Sequence, residues 1–169
     1  MKFGLRFCLF ILFVIPFFTS NSFSQTKLWS DISESSIVLI GEKLINPSVY
    51  RTVTLNVDAM KELLNHAPLE FSREATNNPL VVSLPIPDGS FQNFYCVESP
   101  VMHPDLAARY PEIKTYVGHG IDDRRANVRF DFTPHGFHAM IHSPKGNVFI
   151  DPHNKGDIEN YIVYYTKDF

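Results

Sequence analysis

The sequence predicts an α+β fold in which one main helix and one short helix pack on an antiparallel sheet. The stretches YRTVTLNV at 50–57 and ANVRFDF at 126–132 alternate apolar and polar residues, which is typical of half-buried strands. Apolar residues fall at helical spacing in DAMKELLNHAP at 58–68, and HPDLAARYP at 103–111 has the prolines of a short helix at its start and end. The order of strand, helix, hairpin, short helix and meander favours the α+β class.

The first 24 residues of the 169-residue chain have the features of a secretory signal peptide. Two basic residues precede an apolar run at 7–18, and Ser22 and Ser24 occupy the small-residue positions before a cut at Gln25. An uncleaved membrane anchor is the alternative, but the apolar run is short for a bilayer crossing. We therefore expect a secreted chain, extracellular or periplasmic, with no membrane span after cleavage.

The mature part is predicted to comprise a flexible lead-in at 25–36, which Trp29 can anchor, and one α+β domain at 37–169. Acids and bases are mixed along the chain and the net charge is −3, so no nucleic-acid surface is predicted. Because Cys8 leaves with the signal peptide, Cys96 is the only cysteine of the mature part, and no internal disulfide is expected.

The first half of this domain is predicted to contain two strands and the main helix. The run IVLI predicts a short strand at 37–40, and the alternation at 50–57 predicts a longer one. Asn56 or Asp58 can cap the start of the helix, and Pro68 closes its end. The apolar residues at helical spacing are Met60, Leu63, Leu64 and Ala67.

The second half is predicted to be richer in strands. A polar link at 73–78 leads into a hairpin whose turn is Pro87-Asp88-Gly89. The short helix has Pro104 in its first turn and ends at Pro111. The strands of the meander have the sequences ANVRFDF, FHAMIHS, VFIDP and NYIVYY.

Histidines are dense between His135 and His153, and His138 and His142 have the spacing H-x-x-x-H. On a helix this spacing resembles half of a zinc-protease motif, but Ala139 stands where that motif has glutamate. Proline and glycine at both ends predict a strand instead, on which the two imidazoles lie about 13 Å apart and cannot share a zinc ion. We expect Phe137, Ala139 and Ile141 to face inward, and His138, Met140 and His142 to face outward.

Cys96 lies in FYCVE, which indicates the interior of a strand, so a buried and inert thiol is expected. Asp122 and Asp123 lack the spacing of a calcium loop, and two arginines follow them. The sequence contains no G-x-S-x-G motif and no phosphate-binding glycine loop. No catalytic or cofactor-binding residue is therefore predicted, and the remaining candidates for metal ligation are Cys96, His138 and His142.

Two stretches, at 98–123 and 128–152, resemble the N-terminal pro-region of secreted reprolysin-like (metzincin) zinc metalloproteases of Bacteroidetes-type bacteria. They read ESPVMHPDLAARYPEIKTYVGHGIDD and VRFDFTPHGFHAMIHSPKGNVFIDP. Upstream, VTLNVDAMKELLNHAP and PLVVSLPIPDGSFQNFYCVESP are also similar, so the resemblance covers nearly all of the mature part. The recurring family pattern comprises Glu98, Pro100, Pro104 to Leu106, Tyr110 to Ile113, Tyr116, Gly118, Gly120 to Asp122, Arg129 to Asp131, Gly136 to Ala139 and Ile150 to Pro152.

The resemblance implies a non-catalytic pro-domain that assists folding of a metalloprotease catalytic domain and keeps it latent, in cis or in trans. The chain contains no H-E-x-x-H-x-x-G-x-x-H, so protease activity and zinc are expected only in a catalytic domain outside this sequence. The chain is then a truncated product, a fragment or a stand-alone relative. Latency can arise by steric cover of the partner's cleft or by ligation of its zinc through Cys96. We favour steric cover, because a cysteine inside a strand is poorly placed to reach a foreign metal.

Two further classes of function remain open. The first is a secreted adhesion or ligand-binding module with no protease partner, which an isolated gene would favour over a neighbouring metzincin frame. The second is an enzyme that uses His138 and His142 with a metal, which predicts stoichiometric zinc in the purified protein.

Overall fold

The computed structural model describes residues 27–169, and the predicted signal peptide at 1–24 lies outside the described residues. The strands are β1 (Trp29–Asp31), β2 (Arg51–Leu55), β3 (Leu80–Pro85), β4 (Phe91–Glu98), β5 (Lys114–Gly120), β6 (Asn127–Thr133), β7 (Gly136–His142), β8 (Val148–Pro152) and β9 (Asn160–Tyr165). The α-helices are α1 (Val57–Leu64), α2 (Arg73–Asn77) and α3 (Pro104–Ala107). No helix in this part of the chain is long and apolar enough to cross a membrane.

All nine strands belong to one sheet, in the order β1-β2-β9-β8-β7-β6-β5-β4-β3, and every neighbouring pair is antiparallel. Strands β3 to β9 follow each other as a meander, and the chain's first two strands add to the free side of β9. The predicted sheet-rich, antiparallel architecture is therefore present. The sheet includes a strand earlier in the chain than expected, because β1 lies inside the segment at 25–36 that was predicted to be a flexible lead-in.

One face of the sheet forms the hydrophobic core. Alternate residues are buried along most strands, as the period of two requires. Trp29 is 2% exposed and packs edge-on against Phe137 and Tyr161, with ring centroids 5.4 and 5.5 Å away. Phe137, Ala139 and Ile141 point into this core, as the alternation in β7 predicted.

A buried arginine links the two ends of the sheet. Arg51 on β2 donates from Nη1 to the carbonyl oxygens of Ile86 and Ser90, at the turn between β3 and β4. Its Nε lies 2.6 Å from an Asp31 carboxylate oxygen, and its guanidinium lies 4.8 Å from the centre of the Phe91 ring. The sheet therefore curls until its first and last strands approach each other at this corner.

The helices differ in part from the expectation. Asn56 caps α1 by accepting from the Ala59 backbone N–H, and Met60 and Leu64 are buried in the core. The short helix α3 begins at Pro104, as predicted. The polar link at 73–78 contains an additional helix, α2, because the Ser72 side chain accepts from the Ala75 backbone N–H and caps its start. The structure therefore has two short helices where one was predicted.

The run at 37–40 is not a strand, contrary to the prediction. Ile37 is buried, but Val38, Leu39 and Ile40 are 75%, 70% and 62% exposed. The site beside β2 that a further strand could occupy is taken by β1 on one side and by β9 on the other. The run instead leads to the loop after β8, where the Lys155 backbone N–H donates to the Glu42 carbonyl.

Candidate functional site

The outer face of the sheet carries an acidic and a basic side chain at matching positions on neighbouring strands. Asp131 on β6 lies opposite His138 on β7, and Thr115 on β5 lies opposite Asp131. On the next strand, Ala139 pairs with Ile150, so Asp151 falls beside His138 in the same row. Because outward residues at matching positions share a face, three strands bring Asp131, His138 and Asp151 together.

Hydrogen bonds and charges connect these three residues. His138 Nδ1 lies 3.3 Å from Asp131 Oδ1, and this hydrogen bond raises the pKa of the imidazole despite its partial burial. Burial raises the pKa of Asp151, although its Oδ2 accepts a hydrogen bond of 2.9 Å from the Tyr164 hydroxyl. Across residues 27–169, neither carboxylate forms an ion pair with a lysine or an arginine. The row therefore holds negative charge that only a histidine and a hydroxyl compensate.

These side chains line an open groove of about 370 Å³, here called the outer groove. A volume of this size is typical of ligand sites. Its wall also includes an exposed guanidinium, Arg129, which makes no ion pair with any described carboxylate. The residues that line the outer groove are Val101, Thr115, Tyr116, Arg129, Phe130, Asp131, His138, Ala139, Met140, Phe149 and Asp151.

A second, smaller depression of about 240 Å³ adjoins the outer groove and shares Val101 and Thr115 with it. Its lining is mostly apolar, and its one ion pair joins Lys114 Nζ to Glu98 Oε2 at 2.9 Å. The other lining residues are Pro100, Met102, Ala107, Pro111 and Ile113. Together the two depressions form a continuous surface that is charged at one end and apolar at the other.

An aromatic stack lies next to the acidic end. The rings of Phe149 and Tyr164 are stacked with centroids 5.7 Å apart, and the ring of Phe169 stacks on Tyr164 at 6.2 Å. Phe149 also lines the outer groove. The stack fixes the Tyr164 ring, and with it the direction of the hydroxyl that donates to Asp151.

The structure separates His138 and His142, which share a strand and a face. His142 Nδ1 lies 2.7 Å from Asn147 Oδ1 at the exposed turn between β7 and β8, and it does not line the outer groove. His135 is exposed in the preceding turn. The two histidines of the H-x-x-x-H spacing therefore have separate partners and belong to no common ligand set.

The structure buries His153 in the loop that follows β8. Its side chain is 1% exposed, and its Nε2 lies 3.0 Å from Glu34 Oε1. Glu34 also accepts hydrogen bonds from Lys43 and Tyr50, and these bonds, together with that of His153, lower its pKa to about 2. This cluster fastens the segment after β1 to the loop after β8.

Cys96 lies in the core, on the opposite side of the sheet from the outer groove. It is 0% exposed, and burial raises the pKa of its thiol to about 12. Gly118 on β5 lies opposite Cys96, and a Cβ at that position would be 2.6 Å from Cys96 Sγ. The thiol is packed as an apolar core group and has no route to a ligand outside the chain.

Among residues 27–169, no group of three or more histidine, cysteine or acidic side chains is arranged to hold a metal ion. Comparisons with protein-family models, with curated proteins and with solved structures found no significant match. The outer groove is therefore the candidate functional site of residues 27–169.

Sequence reasoning did not identify Asp131 and Asp151 as members of a site. Each is an outward residue between or beside buried apolar residues, a pattern that indicates only the solvent face of a strand. The register between β6, β7 and β8 decides which outward residues meet, and it depends on pairing between strands. The one signal in the sequence was that Asp131, His138 and Asp151 all lie in the stretches on which the predicted resemblance was based.

Proposed function

We propose that the chain is a non-catalytic pro-domain that binds the catalytic domain of a reprolysin-like zinc metalloprotease and keeps it inactive by steric cover. The observation that supports this proposal is the convergence of the family pattern on one surface. Pattern residues from separate stretches of the sequence line the outer groove and the adjoining depression with outward side chains: Glu98, Pro100, Pro111, Ile113, Arg129, Asp131, His138 and Asp151. Tyr116, Phe130 and Ala139 also border the outer groove, but they are core residues.

Four further pattern residues are accounted for by folding. Phe137 and Ile150 are core residues, and Gly136 has a φ of 112°, a conformation that favours glycine. Position 118 favours glycine, because a Cβ there would come too close to Cys96 Sγ. Asp131, His138 and Asp151 are not core residues, because their side chains lie on the open face of the sheet. Their presence in the pattern is therefore better explained by a shared binding partner.

The buried thiol favours steric cover over zinc ligation. A thiol binds zinc as the thiolate, which a pKa of about 12 makes rare at neutral pH. Reaching a partner's metal would also require β4 to leave its position between β3 and β5. Cover by the outer groove needs neither event, since the groove faces solvent.

The test is inhibition in trans. The exported chain would be titrated into the catalytic domain of a reprolysin-like protease from the same source, with hydrolysis of a fluorogenic peptide as the readout. We expect saturable inhibition that His138→Ala weakens at least about tenfold, which corresponds to about 1.4 kcal/mol. His142→Ala is the matched control, because it removes a histidine from the same strand and face outside the outer groove.

Further measurements show when the proposed function is wrong. Circular dichroism and thermal unfolding must show that both variants remain folded. Refolding of the denatured catalytic domain, with and without the chain, tests the folding role separately. The proposal is wrong if the wild-type chain neither inhibits, nor binds, nor increases the refolding yield of the protease.

A ligand-binding module without a protease partner is the second candidate. It is favoured by the volume of the outer groove, about 370 Å³, and by its mixed polar and apolar lining. In that case the chain would leave the protease fully active, and a small molecule or glycan would protect residues of the outer groove in hydrogen exchange.

A further inference from the structure

A phenylalanine between α1 and α2 is held in solvent in a strained conformation. Phe71 is 96% exposed, and its φ of 65° makes it the one described residue other than glycine with a positive φ. This left-handed conformation is unfavourable for any residue that has a Cβ. Phe71 therefore gains neither burial nor a relaxed backbone from the fold, and an outlier of this kind is a reason to infer a role in binding.

Backbone pairing holds the loop at 68–72, which carries this phenylalanine, in a fixed position. The Glu98 N–H donates to the Pro68 carbonyl at 2.9 Å, and the Glu70 N–H donates to the Glu98 carbonyl at 2.8 Å. An aromatic side chain on a rigid loop loses little entropy when a partner buries it. Exposed aromatic residues of this kind are enriched among those that contribute most to binding.

The adjoining depression lies beside this loop and has room for an aromatic ring. Ser99 connects the two, because its Oγ donates to the Glu70 carboxylate and its N–H donates to the Thr115 carbonyl. Thr115 lines the depression, and so does Glu98, with which the loop pairs. The volume of the depression is about 240 Å³ and its lining is mostly apolar. An apolar cavity of roughly 150 Å³ accepts benzene, so a phenyl ring fits.

The loop and the rim of the depression also have complementary charges. Arg73 and Glu74 are exposed directly after the loop, while Arg109 and Glu112 are exposed next to lining residues of the depression. None of these four side chains forms an ion pair within residues 27–169. When the loop of one copy meets the rim of another, each of these charges can face an opposite one.

We propose that two copies of the chain associate reciprocally, with the phenyl ring of Phe71 in each copy inserted into the adjoining depression of the other. The projecting ring and the recess lie beside each other, so a two-fold axis can bring each one opposite its counterpart, as an isologous interface requires. Leu69 in the loop and Val101 at the depression are also exposed and would be buried with the ring. The inference goes beyond the proposed function and does not rest on it, because this association needs no protease.

Sedimentation velocity of the exported chain tests the association between about 1 µM and 1 mM, the range of weak complexes. We expect a monomer at the low end and a species of twice its mass at the high end. Phe71→Gly should weaken the association at least about tenfold, yet it should not lower the Tm of the dilute monomer, because glycine accepts the positive φ. Phe169→Ser is the matched control, since Phe169 is also exposed but lines neither the outer groove nor the adjoining depression.

Variants on both sides of the contact test its reciprocal arrangement. Ala107→Phe fills the depression from α3 and should weaken the association at least about tenfold in a chain that circular dichroism shows to be folded. Arg73→Glu and Glu112→Arg should each weaken it about fivefold, because an exposed ion pair is weak but occurs twice in the dimer. The double exchange should restore the association, since the reversed charges attract each other again.

Several outcomes would overturn the inference. It is wrong if the chain stays monomeric throughout the range, or if Phe71→Gly and Phe169→Ser have equal effects. Growth beyond the dimer would also contradict it, because an open-ended contact is not reciprocal.

The same variants separate this inference from the proposed function. If the chain is monomeric and Phe71→Gly instead weakens inhibition of the protease, the loop contacts the protease, so the inference falls and the pro-domain proposal stands. If the dimer forms as expected but the protease is neither bound, nor inhibited, nor refolded, the inference stands and the pro-domain proposal falls.

Discussion

Gly118 offers a direct test of how the core of the sheet is packed. A Cβ added there would lie 2.6 Å from Cys96 Sγ and 3.0 Å from both Tyr95 O and Val128 Cγ1. Carbon atoms in favourable contact are about 3.5–4.0 Å apart, so Gly118→Ala forces β4 and β5 to separate or Cys96 to shift. Such overpacking costs about 1–3 kcal/mol.

An opposing effect has to be subtracted from this cost. Replacing glycine by alanine reduces the entropy of the unfolded chain and stabilises a protein by about 0.4–1 kcal/mol where the backbone conformation permits it. Gly118 is not among the glycines with positive φ, so its backbone accepts alanine. The expected net loss for Gly118→Ala is therefore about 1–2 kcal/mol, which corresponds to a fall in Tm of about 2–8 °C for a domain of this size.

A double-mutant cycle identifies the clashing atom. Cys96→Ala alone should cost about 1 kcal/mol, because it removes a buried group and leaves a small cavity. Adding Gly118→Ala to Cys96→Ala fills part of that space, so the double variant should be more stable than the sum of the single effects by about 1 kcal/mol. Relief stays partial because Tyr95 O and Val128 Cγ1 remain close.

Urea unfolding followed by tryptophan fluorescence gives the four free energies, since Trp29 lies in the same core. If Gly118→Ala is as stable as the wild type, the strands relax without cost and the packing argument fails. If the two substitutions are additive, Cys96 Sγ is not the atom that resists the new methyl group.

The remaining predictions concern titratable groups. Cys96 should react with a thiol reagent about a thousandfold more slowly in the native chain than in denaturant, because burial raises the pKa of its thiol from 9.0 to about 12. Stopped-flow absorbance would measure both rates, and rapid labelling of the native chain would contradict the prediction. The hydrogen bonds of Glu34, foremost that from Lys43, lower its pKa to about 2, so their stabilisation is present above pH about 4.5 and lost as the pH falls towards 2. Unfolding of Glu34→Gln in urea should therefore depend less on pH in this window than unfolding of the wild type, and identical acid branches would refute the assignment. The pKa of His138 is raised by its hydrogen bond to Asp131. This pair therefore stabilises the fold below pH about 6.5, and the stabilisation is lost as the pH rises through the raised pKa of the folded state. Asp131→Asn should return the pKa of the imidazole, measured by NMR titration, towards 6.5.

Local patterns in the sequence predicted the elements whose partners are near in the chain. The hairpin around Gly89 formed as expected, because its strands β3 and β4 are joined by a short turn in which Gly89 has a φ of 91°. The start of α1 was predicted because Asn56 caps it through its own side chain. Interactions within a few residues decide both features.

The features that the sequence did not predict depend on distant partners. Strand β1 has only three residues and no apolar alternation, and it forms because Trp29 pairs beside Leu55 and enters the core. The burial of His153 depends on Glu34, which is 119 positions away in the sequence. The apolar run at 37–40 had the composition of a strand but no free edge to join.

The same reasoning explains why the sequence indicated the histidines, and not the aspartates, as candidate site residues. Spacing along one strand made His138 and His142 look like a pair, but a strand moves residues four apart by about 13 Å. Pairing across strands is much shorter, about 5 Å between opposite side chains, and it joins His138 to Asp131 instead. A site on the face of a sheet is therefore formed by one residue from each of several strands, and no single stretch of the sequence contains all of its residues.

This arrangement also determines what the outer groove can do. Its three central residues are held by the register of β6, β7 and β8, whose inward neighbours Phe130, Ala139 and Ile150 are all in the core. The positions of the carboxylates are thus fixed by packing that exists before any partner binds, and little entropy is lost when one does. A rigid, charged groove on an open sheet face suits recognition of another chain, and it needs neither the thiol of Cys96 nor a metal ion to achieve it.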